Sequence, residues 1–264
     1  MREISKLVAL AGGIAFAASL AYGADQMILG KSLTVKDPTA GVDPSKRRIK
    51  GSAKEKGSSA PLNGNPTLFG SAGGALLDIF ANGSNSTAQE FVLPQAESSR
   101  GKFLWSVIGS HKSPIGYKYK DNSGANHTPV ESVLIKKSAN GAFSIKVELT
   151  GKNGTIDVVP PNPGASGCMA LKLGISAAAG DRYSVQFGPE PDSKIKNVDA
   201  KVFSANKPTN EGICPLVVVT TTTTTTTVAT SSSTTTTHAS STTTTTMYGW
   251  PSRAFLEKVE GLLD

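Results

Sequence analysis

Phe143, Ile145, Val147 and Leu149 alternate with Ser144, Lys146 and Glu148. A side-chain period of two belongs to a strand with one buried and one wet face. Pro160, Pro161 and Pro163 end the pattern, because proline has no N–H to give to a ladder. Further strand-like runs follow, and the only two cysteines, Cys168 and Cys214, bracket them.

The same signature recurs along the chain. Apolar or alternating runs at 28–36, 75–81, 90–93, 103–108, 115–120, 130–137, 169–173, 182–187 and 194–203 are separated by Gly, Asn, Ser and Pro. Asn140-Gly141 joins the runs at 130–137 and 142–149, and Asn-Gly is the strongest short hairpin signal. Asn153-Gly154 predicts a second hairpin after Leu149. The basic run at 46–56 reads either as a charged edge strand or as a disordered arm. No amphipathic helix pattern separates Ala24 from Cys214. The chain is therefore expected to be all-β, an antiparallel β-sandwich or jelly-roll-like domain over residues 25–215.

Residues 1–23 are expected to be a signal peptide. Arg2 and Lys6 precede the apolar run 7–20, and Ala21-Tyr22-Gly23 offers small residues at a cleavage site. The run is too short for a comfortable membrane span, so no span is expected after cleavage. The mature chain is read as secreted or displayed at the cell surface, extracellular or periplasmic. In an oxidising compartment Cys168 and Cys214 read as one disulfide; two buried free thiols are the alternative.

The formal net charge is +7. In a cytosolic protein this would raise nucleic acid as a partner. Export argues against it, and Lys118, Lys120, Lys146 and Lys172 sit at alternate positions like a solvated strand face. Attraction to an extracellular polysaccharide or other anionic cell-surface polymer is the partner this charge suggests.

Beyond Pro215 the composition changes abruptly. From Thr220 to Thr246 every residue is Thr or Ser except Val228, Ala229, His238 and Ala239. With no apolar stripe to bury, residues 216–246 read as a disordered, extended Thr/Ser-rich linker, and a strand is not expected there. Residues 247–264 form a short tail that Ser252 could cap as a helix, with Phe255, Leu256 and Val259 on one side. Its alternatives are a frayed end or out-of-frame sequence beyond the repeat, and any partner is unknown.

Tyr117-Lys118-Tyr119-Lys120-Asp121, Gly141-Ala142-Phe143, the run 158–164, Gly180-Asp181-Arg182-Tyr183 and Gly212-Ile213-Cys214-Pro215 together resemble a loose group of uncharacterised secreted bacterial proteins that carry Thr-rich tracts after the Cys-Pro. The resemblance covers roughly residues 101–215. It implies export and a β-rich domain, and it carries no activity or cofactor.

Chemistry-bearing constellations are few. His238 lies in the Thr tract, and His111 and His127 lie in polar turn-like sequence. Ser110 beside His111 is not how a nucleophile meets its base, and Ser193-x-x-Lys196 falls on a strand-like run. Asp121-Asn122-Ser123-Gly124 resembles a calcium loop, but no acidic residue closes it. No catalytic residue, metal ligand or cofactor is assigned. Tyr117 and Tyr119 share one strand face, and with Trp105 they could form a sugar-stacking platform or part of the core. The expected function is a non-catalytic structural or interaction module on a stalk. The rivals are a carbohydrate- or polymer-binding module and, third, a secreted hydrolase.

Overall fold

The computed structural model describes residues 23–98, 101–121, 124, 126, 128–176, 180–228 and 236–246, the last two stretches as backbone only from residue 218 onward. Residues 1–22 of the expected signal peptide, His127, Asn122 and Ser123 of the calcium-like loop, and the tail 247–264 lie outside the described residues.

The chain is all-β, as expected. In order, the strands are β1 (Asp25–Met27), β2 (Gly30–Lys36), β3 (Arg48–Glu55), β4 (Ala75–Gly83), β5 (Thr87–Leu93), β6 (Trp105–Ser110) and β7 (Ser113–Lys120). They continue with β8 (Val130–Lys137), β9 (Phe143–Thr150), β10 (Gly164–Leu173), β11 (Arg182–Phe187), β12 (Lys194–Val198) and β13 (Val202–Asn206). A five-stranded sheet has the order β1-β11-β10-β4-β5, and an eight-stranded sheet the order β12-β13-β2-β3-β9-β8-β7-β6. β1 runs parallel to β11, and the other ladders of the two sheets are antiparallel.

The period-two pattern decides which residues meet between the sheets. Phe143, Ile145, Val147 and Leu149 of β9 are buried, whereas Lys146 and Glu148 are exposed. From the other sheet Met169, Leu171, Tyr183 and Val185 join them in one core. The Phe143 and Tyr183 rings bridge the sheets with centroids 5.2 Å apart. Gly51 of β3 marks a close approach of the sheets: a Cβ there would lie 2.5 Å from Met169 Sδ and 2.8 Å from Val147 Cγ2.

That glycine explains the ambiguity at 46–56. The run is neither an arm nor an edge strand, because β3 lies between β2 and β9 in the middle of the larger sheet. Its inward residues are Ile49, Gly51 and Ala53. Two of them are small, so the apolar alternation is faint in the sequence.

Three other expectations change. The run at 194–203 is a hairpin, β12 and β13, rather than one strand. Asn153-Gly154 makes a turn but no second hairpin, since residues 155–163 form no strand. Instead this segment shields the β5 edge through side chains. Gln89 Oε1 accepts from Asp157 N at 2.7 Å, and Thr87 Oγ1 accepts from Val159 N at 3.0 Å. Finally, the Thr tract forms a two-stranded ribbon, β14 (Val218–Val228) with β15 (Thr236–Thr246), that joins neither large sheet. Pairing satisfies the backbone groups of an extended chain without any apolar face. A lone two-stranded ribbon is marginal in water, so the tract keeps the character of a linker.

Gly51→Val is expected to cost about 1–3 kcal/mol by overpacking beneath Met169. Denaturant titration of the purified chain measures it; an unchanged midpoint would mean that the sheets do not meet there.

Candidate functional site

The aromatic trio is placed first by its ladder. Trp105 of β6 pairs with Tyr119 of β7, and Tyr119 pairs in turn with Val133 of β8. All three rings turn inward: Trp105 is 1 %, Tyr117 4 % and Tyr119 0 % exposed. Trp105 and Tyr119 sit 5.3 Å apart, and Trp105 Nε1 donates to the Leu93 carbonyl at 3.1 Å. Leu93 belongs to β5, so the indole ties an edge of one sheet to an edge of the other. Burial holds the phenols of Tyr117 and Tyr119 above their ordinary range. These residues build core and do not form an exposed stacking platform.

A groove of about 1000 Å³ opens outside Trp105. Gln95 builds its floor by acting as a surrogate strand residue: its Oε1 accepts from Trp105 N at 2.9 Å, and its Nε2 donates to the carbonyls of Trp105 and Thr67 at 3.3 Å. Phe69 and Phe103 stand at the groove 63 % and 50 % exposed, their rings edge-to-face at 5.5 Å. Lys118 and Lys120 reach it from the outer face of β7. This exposed aromatic pair was not legible in the sequence, because Phe69 lies in a glycine-rich loop and Phe103 heads an apolar run. Exposed His111 also lines the groove. The neighbouring Ser110 Oγ accepts from Ser113 N within the turn. Ser193 is buried while Lys196 is exposed on β12.

A dense polar cluster lies on the outer face of the smaller sheet. Residues 212–217 cross this face as a strap, stapled by the expected disulfide Cys168–Cys214, whose Cα atoms are 5.8 Å apart. Phe80, Cys168, Ala170 and Cys214 form a small second core beneath the strap. Beside it Arg182, buried on β11, grips the strap backbone. Nη1 donates to the Cys214 carbonyl at 2.9 Å, and Nη2 to the Pro215 carbonyl at 2.8 Å. The same guanidinium pairs with Asp78 Oδ2 at 3.1 Å and Asp25 Oδ1 at 3.2 Å, and donates to Ser184 Oγ at 3.1 Å.

Glu90 lies opposite Asp78 in the ladder, and Lys172 lies opposite Arg182. Desolvation raises the Asp78 carboxyl to about 6 despite the opposing pull of Arg182. Burial also raises Glu90 and lowers Lys172. Lys172 is thus half-buried within this cluster, not on an open solvated face with Lys118, Lys120 and Lys146. The faint sequence signal was an aspartate inside the apolar run 75–81. The arrangement fixes the strap: Asp78 and Asp25 each give one carboxylate oxygen to the guanidinium that holds it.

No known protein family, curated protein or solved structure matches this chain.

Because the folded Asp78 takes a proton at about 6 against an ordinary 3.8, its contribution to stability is smallest above pH 6 and grows as pH falls toward 4. The gain is on the order of 3 kcal/mol at most. Asn, like protonated Asp, carries no charge, so Asp78→Asn is expected to remove this pH dependence: denaturant titrations of the two proteins should lie closest near pH 4, and the gap between them should change as Asp78 ionises toward neutral pH. Parallel pH profiles would show that the carboxylate does not titrate in this range.

Proposed function

We propose that the chain is an exported, non-catalytic interaction module, secreted or held at the cell surface, in which a β-sandwich is presented on a Thr-rich stalk. The observation that carries this reading is the strap. The segment leading into the Thr tract is joined to the smaller sheet by a disulfide and by the Arg182 grip on the two consecutive carbonyls of Cys214 and Pro215. A pull along the stalk therefore meets a covalent bond and a buried guanidinium before it reaches the ladders. As a paired ribbon the tract reaches about 37 Å, and unpaired about 80 Å. Distance from a surface is what such a tract supplies.

The other end of the domain supports export. Ala24 would be the first residue after cleavage at Gly23. Its nitrogen lies 3.0 Å from Oδ1 of buried Asp181, which also accepts from Asn63 Nδ2 and Gln26 Nε2 at 3.0 Å. A processed amino terminus would meet a carboxylate already in position. The resemblance to secreted bacterial proteins agrees with this.

Intact-mass measurement of the exported protein is expected to show a chain beginning at Ala24 with Cys168 linked to Cys214. A reduced chain that keeps Met1 would overturn the export reading. Deleting 220–246 is expected to change the stability of the sandwich by less than about 0.5 kcal/mol, the range of neutral surface changes. The same deletion should lower antibody access to the domain on intact cells. A loss of several degrees in Tm, with access unchanged, would show that the tract is part of the fold and not a stalk.

A further inference from the structure

The outer faces of the two sheets differ in charge and in cover. The smaller sheet is roofed by the strap, and Asp25, Asp78 and Glu90 there offset Arg182 and Lys172. The larger sheet turns a polar face outward. Its ladder registers set one cross-strand row as Lys196, Ser204, Thr34, Lys50, Glu148, Ser132 and Lys120. In the next row, Lys194, Lys146 and Lys118 are separated by Asn206, Ser32, Ser52 and Leu134. All six lysines of these rows are exposed. The one acidic residue in them, Glu148, is engaged by Lys50 at 3.3 Å.

We infer that this face is a docking surface for a linear acidic polysaccharide, which names the partner of the interaction module proposed above and rests on that reading. Charge complementarity selects a polyanion. Neighbouring strands stand about 4.8 Å apart, close to the length of one sugar residue, so a chain lying across the strands meets lysines two to four strands apart. The interleaved Ser and Thr hydroxyls can donate to and accept from sugar hydroxyls.

The two rows themselves carry no aromatic side chain, because the aromatics of these strands point inward, so successive bases of a single-stranded nucleic acid lying along them would have nothing to stack on short of the Phe69–Phe103 pair at the groove. Their aliphatic content is one half-buried leucine, Leu134, too little to insert into a bilayer. Lys118 and Lys120 end the rows at the groove, where Phe69 and Phe103 offer apolar contact to the face of a sugar ring.

The test uses the full mature chain with polygalacturonate as the acidic probe and dextran as the neutral one. Binding to polygalacturonate should weaken with added salt, and dextran should not bind. Replacing Lys118, Lys120 and Lys146 together by Gln should weaken binding about tenfold, the sum of three exposed charge contacts. The Arg triple at these positions should keep it. A charge-matched control, Lys56, Lys152 and Lys201 to Gln, removes three turn lysines and should leave binding within about twofold. Unchanged Tm excludes misfolding in each.

Equal losses in both Gln triples would mean that only net charge matters, and the surface assignment would fall. Equally tight binding to single-stranded DNA or to anionic phospholipid vesicles would reduce the face to a general cation exchanger and overturn the polysaccharide assignment. No binding to polygalacturonate would overturn it outright, while the stalk reading would stand or fall on surface access alone.

Discussion

The central strands β10 and β11 of the five-stranded sheet are buried on both faces, and much of the architecture follows from that. On β10, Met169, Leu171 and Leu173 face the larger sheet, while Cys168 and Ala170 lie under the strap. The inner face is held by ordinary sheet-on-sheet packing. The outer face cannot be held that way, because the strap has few apolar anchors: Ile213 is 51 % and Leu216 65 % exposed. Covalent and ionic attachment substitute for apolar area. Closing a loop across a sequence separation of 46 restricts the unfolded chain by about 4 kcal/mol on the entropy model. Arg182 adds directional bonds at the next two carbonyls, and burying its charge requires Asp78 and Asp25 nearby.

The fold was legible where inward residues are large. β9 and β8 were readable residue by residue, because Phe143, Ile145 and Val147 alternate with polar partners and Asn140-Gly141 sets the turn. β3 was not, since close approach of the sheets demands Gly51 and Ala53 where a pattern reader looks for Val or Ile. The disulfide was readable from cysteine count and export alone. Arg182 was not. A charged residue at a strand start looks solvated until the ladder shows Lys172 beside it and the strap lies above it. Likewise the Thr tract lacks an apolar stripe, which rules out packing but not self-pairing of its backbone.

The aromatics show how spacing underdetermines a site. Tyr117 and Tyr119 share a face as their period-two spacing requires, and Trp105 joins them by register. Whether that face is a platform or a core depends on which side the other sheet occupies, and long-range pairing alone decides that. A chain with 6 % aromatic residues must spend most of them on its interior. Among the described residues the exceptions are Phe69 and Phe103, which lie in the loops around Gln95 and outside the named strands.

Lysine at an alternate strand position likewise carries two meanings. Lys172 and Lys146 have the same local pattern, yet Lys172 is half-buried near Glu90 and Asp78 whereas Lys146 stands open on the larger sheet. The difference lies in what covers each sheet. Where the strap excludes water, uncompensated charge is costly, so acids and bases must come together. Where nothing covers the sheet, lysines can accumulate with little acidic compensation because water screens them from one another. Among the described residues, exposed lysines thereby gather on the outer face of the larger sheet, where no strap is seen. A polyanion on that face would displace only water and counterions, whereas over β10 and β11 of the smaller sheet the disulfide-tied strap stands in the way. The asymmetry of covering, set by two cysteines and one arginine, thus decides which surface of the sandwich is free to bind.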